Sequence, residues 1–271
     1  MPALDPLHAA LLGAVEGLTE FLPVSSTGHL ILTSQLLGLQ GEAVKTFEVV
    51  IQAGALGAVA GLYRGRIGSM ARGVAGREAN GRRLAGCLLV SFLPAAVAGL
   101  LLHRVIKSQL FSVWPVVAAL AAGGVVMLAD AWWRRATGQE GRKPLEALTV
   151  PHALLIGLAQ CLALWPGTSR AMVTILAGLW LGLSASAAAE YSFLLALPTL
   201  GAATVFDLLQ GGGALWQDVG PSAVLCGFAA AAAVAALAIN GFIRYLQHRG
   251  LAVFGWYRLG LAGVMWWMLS R

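Results

Sequence analysis

Charge is nearly absent from long stretches of this chain, and that constrains its fold more than any motif does. Of 271 residues, 11% are charged and 58% hydrophobic, with a mean hydropathy of +0.77. Soluble domains carry about 25% charged residues. A chain with less than half that share cannot cover a globular surface with polar groups and needs lipid as its solvent. Apolar segments lie at about 7–22, 28–40, 46–63, 84–102, 113–133, 151–165, 171–183, 188–206, 222–243 and 251–269. The longer ones suffice to cross a hydrocarbon layer of about 30 Å as helix. In hydrocarbon only helices and closed barrels satisfy the backbone. These runs are continuous and rich in Ala, Leu and Gly rather than alternating, which selects helices. The expectation is an all-α polytopic membrane protein forming a single integral membrane domain over 1–271.

Four segments, 7–22, 28–40, 151–165 and 171–183, are short for a span. They form two pairs, each joined by a polar turn containing proline: Leu22-Pro23-Val24-Ser25-Ser26-Thr27-Gly28 and Trp165-Pro166-Gly167-Thr168-Ser169-Arg170. Short segments interrupted at matching places in two halves indicate discontinuous helices meeting at a binding site. The halves also resemble each other weakly. Gly13-Ala-Val-Glu16 precedes the first turn and Gly157-Leu-Ala-Gln160 the second. Each hairpin is followed by a segment starting near a glutamate, Glu48 or Glu190. The reading is one repeat over about 1–133 and another over about 148–271.

Loop charge supplies orientation. Loops 64–83, 134–147 and 244–250 carry six, four and two Lys/Arg, whereas 41–45, 103–112 and 207–221 carry one, two and none. Placing the first three in the cytoplasm gives 12 basic residues inside against 3 outside, as the positive-inside rule requires. The first hairpin then dips in from outside and the second from the cytoplasm, so the repeats have inverted topology. Six transmembrane helices and two re-entrant hairpins result, with both termini outside. The net charge of +6 is accounted for by these headgroup-facing loops, and no nucleic-acid partner is expected. Cys87, Cys161 and Cys226 lie singly in apolar runs and read as small buried hydrophobes. No cleavable signal peptide is expected, since the N-terminal run has no basic flank and contains two glutamates.

Ionisable groups inside a bilayer are costly and mark function by default. Here they converge on the hairpin turns. Glu16 and Glu20, spaced i, i+4, share one helix face. Ser25, Ser26, Thr27 and His29 follow, and the other turn supplies Thr168, Ser169 and Arg170. Acids, hydroxyls, an imidazole and a guanidinium at one depth suit phosphate chemistry, because the arginine fork donates bidentate bonds to phosphate and helix N-termini attract anions. Plainer roles compete: a structural ion pair for the glutamates, helix capping for Ser25, an interior histidine for His29, and carbonyl binding at a broken helix for Arg170. Glu48 and Glu190 read equally as hairpin anchors. His8, His103, His152 and His248 lie near segment ends and read as interfacial.

The segment Glu16-Gly-Leu-Thr-Glu20-Phe-Leu-Pro-Val-Ser25-Ser26-Thr-Gly-His29-Leu, with Pro166-Gly-Thr-Ser169-Arg170, resembles the undecaprenyl-diphosphatase family, also called the bacitracin-resistance protein family. The resemblance extends over nearly the whole chain, through Thr46-Phe-Glu-Val-Val-Ile-Gln52 and Glu190-Tyr-Ser-Phe-Leu-Leu-Ala-Leu-Pro198. It implies an inverted repeat in the bacterial inner membrane. It also implies hydrolysis of undecaprenyl diphosphate to the monophosphate and inorganic phosphate, which recycles the lipid carrier of cell-wall (peptidoglycan) synthesis and confers bacitracin resistance. The paired-acid motif falls on Glu16 and Glu20, the serine-rich motif on Ser25, Ser26 and His29, and the arginine motif on Ser169 and Arg170. The family's usual Ser-Arg-Ser-Gly reads Ser169-Arg170-Ala171-Met172 here.

In the mechanism these residues favour, Ser26 attacks the terminal phosphorus while Glu20 or His29 takes its proton. Direct attack by water is the other route. Arg170 and the turn amides stabilise the phosphoryl oxygens, with Ser25, Thr27, Thr168 and Ser169 contacting the substrate. Glu16 and Glu20 are the candidate ligands of a divalent cation, Mg or Ca. The expected partners are the polyprenyl diphosphate, membrane lipids and a second copy in a homodimer. A transporter or flippase of the lipid phosphate is the rival class, since inverted repeats with broken helices also build transporters.

The charge count makes a checkable statement. After the native cysteines are replaced, cysteines placed in loop 64–83 resist an impermeant thiol reagent applied to intact cells; labelling there reverses the orientation.

Overall fold

The computed structural model describes residues 4–39, 41–109, 112–138 and 141–270, with side chains described throughout except at 42, 43, 45, 103–109 and 210–218. The side chains of Lys45, Arg104 and Lys107, counted among the loop charges, and of His103, read as interfacial, therefore lie outside the described residues. Among those described, the fold is all helical: α1 (Pro6–Thr19), α2 (Ser26–Leu36), α3 (Glu42–Leu62), α4 (Arg64–Val74), α5 (Ala79–Gln109), α6 (Val113–Thr137), α7 (Val150–Gln160), α8 (Arg170–Trp180), α9 (Ala185–Asp218), α10 (Pro221–Leu246) and α11 (Ala252–Leu269).

Four helical stretches, Ala79–Leu102, Val113–Thr137, Ala185–Leu209 and Pro221–Leu246, are long and apolar enough to cross a membrane, and α3 with α4 makes a fifth when counted as one broken span. Only 22–44% of each window is buried within the protein. The outward faces carry Leu93, Leu100, Val125, Leu225 and Leu237 exposed, a density of open apolar side chains that water would not tolerate. This is a multi-pass membrane protein.

Local sequence explains the element ends. Asp5 caps α1, its Oδ1 accepting from the amides of Leu7 (2.9 Å) and His8 (2.8 Å), with Pro6 in the first turn. The apolar α3 stops at Tyr63, and the arginine-rich α4 turns away by 78°. That change of direction matches the change from apolar to basic composition. α6 closes on Gly138 in the left-handed conformation. The loop expected over 207–221 is largely helix, because α9 runs on to Asp218. The break comes at Gly220, with φ 82°, and Pro221 starts α10. Loops 64–83 and 103–112 likewise contain α4 and the end of α5.

The packing is reciprocal. α1 lies against α10, and α7 lies against α5; α3 meets α9, and α6 meets α11. Each hairpin therefore seats on a long helix from the other half of the chain. Both seats use glycine. A Cβ on Gly13 would stand 2.1 Å from the carbonyl oxygen of Gly227, and one on Gly157 would stand 2.5 Å from that of Ser91. Close backbone approach through small residues is how helices associate where no hydrophobic gain separates protein from lipid. Gly13→Ala should therefore lower the thermal unfolding midpoint in detergent, reflecting an overpacking cost of about 1–3 kcal/mol. Gly61→Ala, where a Cβ meets nothing within 4 Å, should not.

Candidate active site

The two hairpin turns meet in the interior, and each places a serine in the same unusual conformation. Ser25 (φ 70°) and Ser169 (φ 73°) are the only non-glycine residues with positive φ among those described. Each is the residue before a helix, and each turns its hydroxyl back to accept from a first-turn amide, Gly28 at 3.4 Å and Met172 at 3.2 Å. The next residue is Ser26 in one hairpin and Arg170 in the other: Ser26 turns to Glu20 of its own hairpin, and Arg170 reaches across to the same glutamate. Capping, the plainer role for Ser25, holds for both serines.

The centre is a buried chain of three residues. Ser26 Oγ donates to Glu20 Oε2 at 2.6 Å, and Arg170 Nη2 donates to Glu20 Oε1 at 3.1 Å. The Glu20–Arg170 ion pair has both side chains 7% exposed. Arg170 is fixed from behind: its Nη1 donates to the Ser192 carbonyl at 2.9 Å, Phe21 lies under the guanidinium, and Thr174 bridges the Arg170 carbonyl (2.8 Å) and the Ser192 hydroxyl (2.7 Å). Its Nε is buried and has no hydrogen-bond partner. Glu16, fully buried one turn before Glu20, has neither carboxylate oxygen hydrogen-bonded. A spare donor and a spare carboxylate thus flank the Ser26–Glu20–Arg170 chain.

His29 stands apart from Ser26. Its Nδ1 is 2.7 Å from the Ser25 carbonyl oxygen, and its Nε2 is 2.7 Å from the hydroxyl of Tyr257 on α11. Of the two proton acceptors considered for Ser26, the geometry places Glu20 in contact and His29 elsewhere. Thr27 and Thr168 are half-buried at the rims of the two turns, the latter closing its turn by an amide bond to the Trp165 carbonyl at 3.1 Å. Glu48 accepts from Ser34 on α2 at 3.0 Å and so ties α3 to the first hairpin. Glu190 is drawn away from the centre by Arg66 of α4, at 2.7 Å, in a network that includes Glu146. Among the described residues no cluster of three His, Cys, Asp or Glu surrounds a metal-sized space.

Sequence reasoning missed four contributors: Thr174, Ser192, Tyr257 and Arg258. The last is the largest fully buried side chain. It donates to the carbonyl oxygens of Pro23 (3.3 Å), Gly167 (2.9 Å), Ala119 (3.0 Å) and Leu120 (3.3 Å). Pro23 and Gly167 belong to the two turns, so one guanidinium fastens both to α6. The signal for it was present, as a lone charge in the middle of an apolar segment.

Comparison with known proteins decides the relationship. The family model described as bacitracin resistance protein BacA matches residues 9–264. The chain belongs to the bacitracin resistance protein family. Curated relatives named undecaprenyl-diphosphatase include one from Sorangium cellulosum (strain So ce56), 52% identical over 96% of this chain and 85% of its own length. Another, from Nitrosomonas europaea, is 46% identical over 94% of this chain and 91% of its own. Undecaprenyl-diphosphatase 1 of Chromobacterium violaceum is 44% identical over 96% of both chains. The family's fold in this chain is thus held at its centre by Arg258. Arg258→Leu leaves the buried turn carbonyls of Pro23 and Gly167 without this donor and is expected to destabilise the protein by about 2–4 kcal/mol, read as a lower unfolding midpoint. Arg258→Lys should recover only part, because an ammonium cannot span carbonyls on three elements.

Proposed function

We propose that this protein is an undecaprenyl-diphosphate phosphatase of the bacterial inner membrane. It cleaves the terminal phosphate from undecaprenyl diphosphate, returning the monophosphate carrier to cell-wall synthesis and conferring bacitracin resistance. The observation that carries the reading is the 2.6 Å hydrogen bond from Ser26 Oγ to a Glu20 carboxylate that Arg170 also holds. A buried hydroxyl, a proton acceptor and a phosphate-binding cation in one chain form a nucleophile set; a lipid carrier that only moved its cargo would need no such hydroxyl.

The lipid cannot leave the bilayer, so the charged groups must come to it, and the hairpin turns bring them. Ser26 Oγ attacks the terminal phosphorus as Glu20 Oε2 takes its proton. The bond from that phosphorus to the bridging oxygen breaks, and undecaprenyl monophosphate leaves. Glu20 passes that proton to the bridging oxygen of the departing monophosphate; it then deprotonates a water that attacks the phosphorus on Ser26, and it returns the proton to Ser26 Oγ as inorganic phosphate leaves. Arg170 orients Glu20 and, through its unpaired Nε, meets a phosphoryl oxygen. Ser25, Thr27, Thr168 and Ser169 line the turns around the diphosphate. His29 belongs to the same machinery by holding the Ser25 carbonyl.

A divalent cation, Mg or Ca, fits this donor set in part. Glu16 offers two buried carboxylate oxygens without partners, Glu20 lies one turn on, and diphosphate oxygens would complete the shell. When bound, the ion would neutralise diphosphate charge.

The finer architecture belongs to the same proposal: six spans and two re-entrant hairpins, in repeats of about 1–133 and 148–271, with the site opening to the outside. Support comes from the reciprocal seating of α1 on α10 and α7 on α5, and from the matched serines at φ 70° and 73°. The site is assembled within one chain, so a homodimer is not required for chemistry.

The test is phosphate release from undecaprenyl diphosphate by the purified protein in detergent, with and without chelator. Ser26→Ala and Glu20→Gln should each lower kcat by about 10²–10⁴-fold while leaving the protein folded, and Arg170→Ala should be similarly impaired. A chelator-sensitive rate supports the cation. A folded, metal-replete wild type that releases nothing overturns the reading.

A further inference from the structure

Tyr257 lies 228 residues from His29 in sequence, yet the two side chains make a hydrogen bond of 2.7 Å and stack with their rings 3° from parallel. The direction of the bond follows from the other nitrogen. His29 Nδ1 faces the Ser25 carbonyl oxygen at 2.7 Å. A carbonyl only accepts, so Nδ1 carries the proton. In a neutral imidazole Nε2 is then a bare acceptor, and the Tyr257 hydroxyl must donate to it. A directed chain therefore runs from the phenol, through the imidazole, to the backbone of Ser25.

That backbone needs holding. Ser25 has φ 70°, and a non-glycine residue in a sparsely populated region costs about 1–3 kcal/mol and persists only where its surroundings over-determine it. The hydroxyl of Ser25 holds its far side through the Gly28 amide, and the turn is gripped two residues earlier by Arg258 on Pro23. The imidazole grips the Ser25 carbonyl itself, which is covalently joined to the amide of Ser26. Both ring nitrogens are engaged away from Ser26, so the imidazole cannot also be its proton acceptor in this arrangement.

We propose that Tyr257 is a positioning residue of the reaction: by donating to His29 Nε2 it fixes the ring that holds the Ser25 carbonyl, and so sets the direction in which Ser26 Oγ is presented. The proposal rests on the phosphatase reading above. Tyr257 is 49% exposed, so loss of its hydroxyl leaves no cavity in the core.

The experiment measures steady-state phosphate release from undecaprenyl diphosphate by the full-length protein in detergent. Tyr257→Phe should lower kcat about tenfold, the scale of one lost hydrogen bond, with KM changed by less than about twofold and the unfolding midpoint retained. In a His29→Ala background, Tyr257→Phe should cost nothing further, because residues acting through one chain are not additive. His29→Asn, whose side-chain amide can replace the Nδ1 donor, should recover part of the activity lost in His29→Ala and be insensitive to Tyr257→Phe. An active wild type with an unaffected Tyr257→Phe sinks this role alone, as does a loss that multiplies with that of His29→Ala. A change confined to KM makes Tyr257 a substrate contact and also overturns it, and a collapsed unfolding midpoint makes it a residue of the fold. A folded wild type that releases no phosphate removes the phosphatase reading, and this role with it.

Discussion

Breaking two helices in the apolar interior leaves turn carbonyls that water cannot reach, and each buried acceptor without a donor is costly. Arg258 meets this cost for both turns at once. Its guanidinium donates to Pro23 in the first hairpin, to Gly167 in the second, and to Ala119 and Leu120 of α6. Because α11 and α6 pack along each other, the two tips are tied to a helix pair as well as to one another. Glu20 lies three residues before Pro23, and Arg170 three residues after Gly167. The register of the Glu20–Arg170 pair therefore follows from the grip of Arg258. That pair adds little net stability by itself, since desolvation offsets most of its attraction. Its consequence is geometric: it fixes the carboxylate that faces Ser26.

The two hairpins share a backbone and divide the chemistry. Both carry a capping serine at positive φ, and both seat on a distant helix through a glycine one turn before an acidic or amide side chain. The residue after the serine is a hydroxyl in one and a guanidinium in the other. Likewise Glu16 in the first corresponds to Gln160 in the second. Gln160 is spent on structure, donating to the Ser91 carbonyl at 3.4 Å and accepting from Thr199 at 3.3 Å. Glu16 makes no such bond. One hairpin supplies the hydroxyl and the carboxylate, and the other supplies the guanidinium, so the chain of three needs both tips. Ala171 and Met172, which follow Arg170 in the first turn of α8, are both buried in the core.

Much of this was legible in the sequence because the bilayer makes charge conspicuous. Glu16, Glu20, Ser25, Ser26, His29 and Arg170 announced themselves as polar groups around Pro-containing turns; Glu20, Ser26 and Arg170 meet in one chain, while His29 turns to Tyr257 of α11. The short apolar segments and their Pro-containing turns placed the hairpins at 7–40 and 151–183, close to α1–α2 and α7–α8. Two kinds of information were not legible. Partner choice was one: Glu48 and Glu190 looked equivalent, but Ser34 draws one towards the first hairpin and Arg66 draws the other to the basic end. Distant support was the other. Thr174 sits one turn after Arg170 on α8 in ordinary-looking sequence, and only the three-dimensional packing brings Ser192 to Arg170 and Tyr257 to His29. Arg258 stood between these cases, as a visible lone charge whose partners are backbone carbonyls that no side-chain pattern reveals.

Glu16 carries the argument one step further. A fully buried carboxylate without a hydrogen-bond donor is among the least favourable groups a protein can hold. It lies beside Glu20, whose oxygens accept from Ser26 and Arg170. A proton on Glu16 relieves the charge and supplies a donor towards Glu20, because each carboxylate oxygen keeps a second lone pair. In the proposed reaction the diphosphate would bring oxygens and negative charge, and a carboxylate facing those oxygens is tolerable only with a cation or a shared proton between them. The unpaired Nε of Arg170 would offer a phosphoryl oxygen a donor from the opposite hairpin. The buried polar atoms of Glu16 and Arg170 would then complement an anion that binds with its counter-charge.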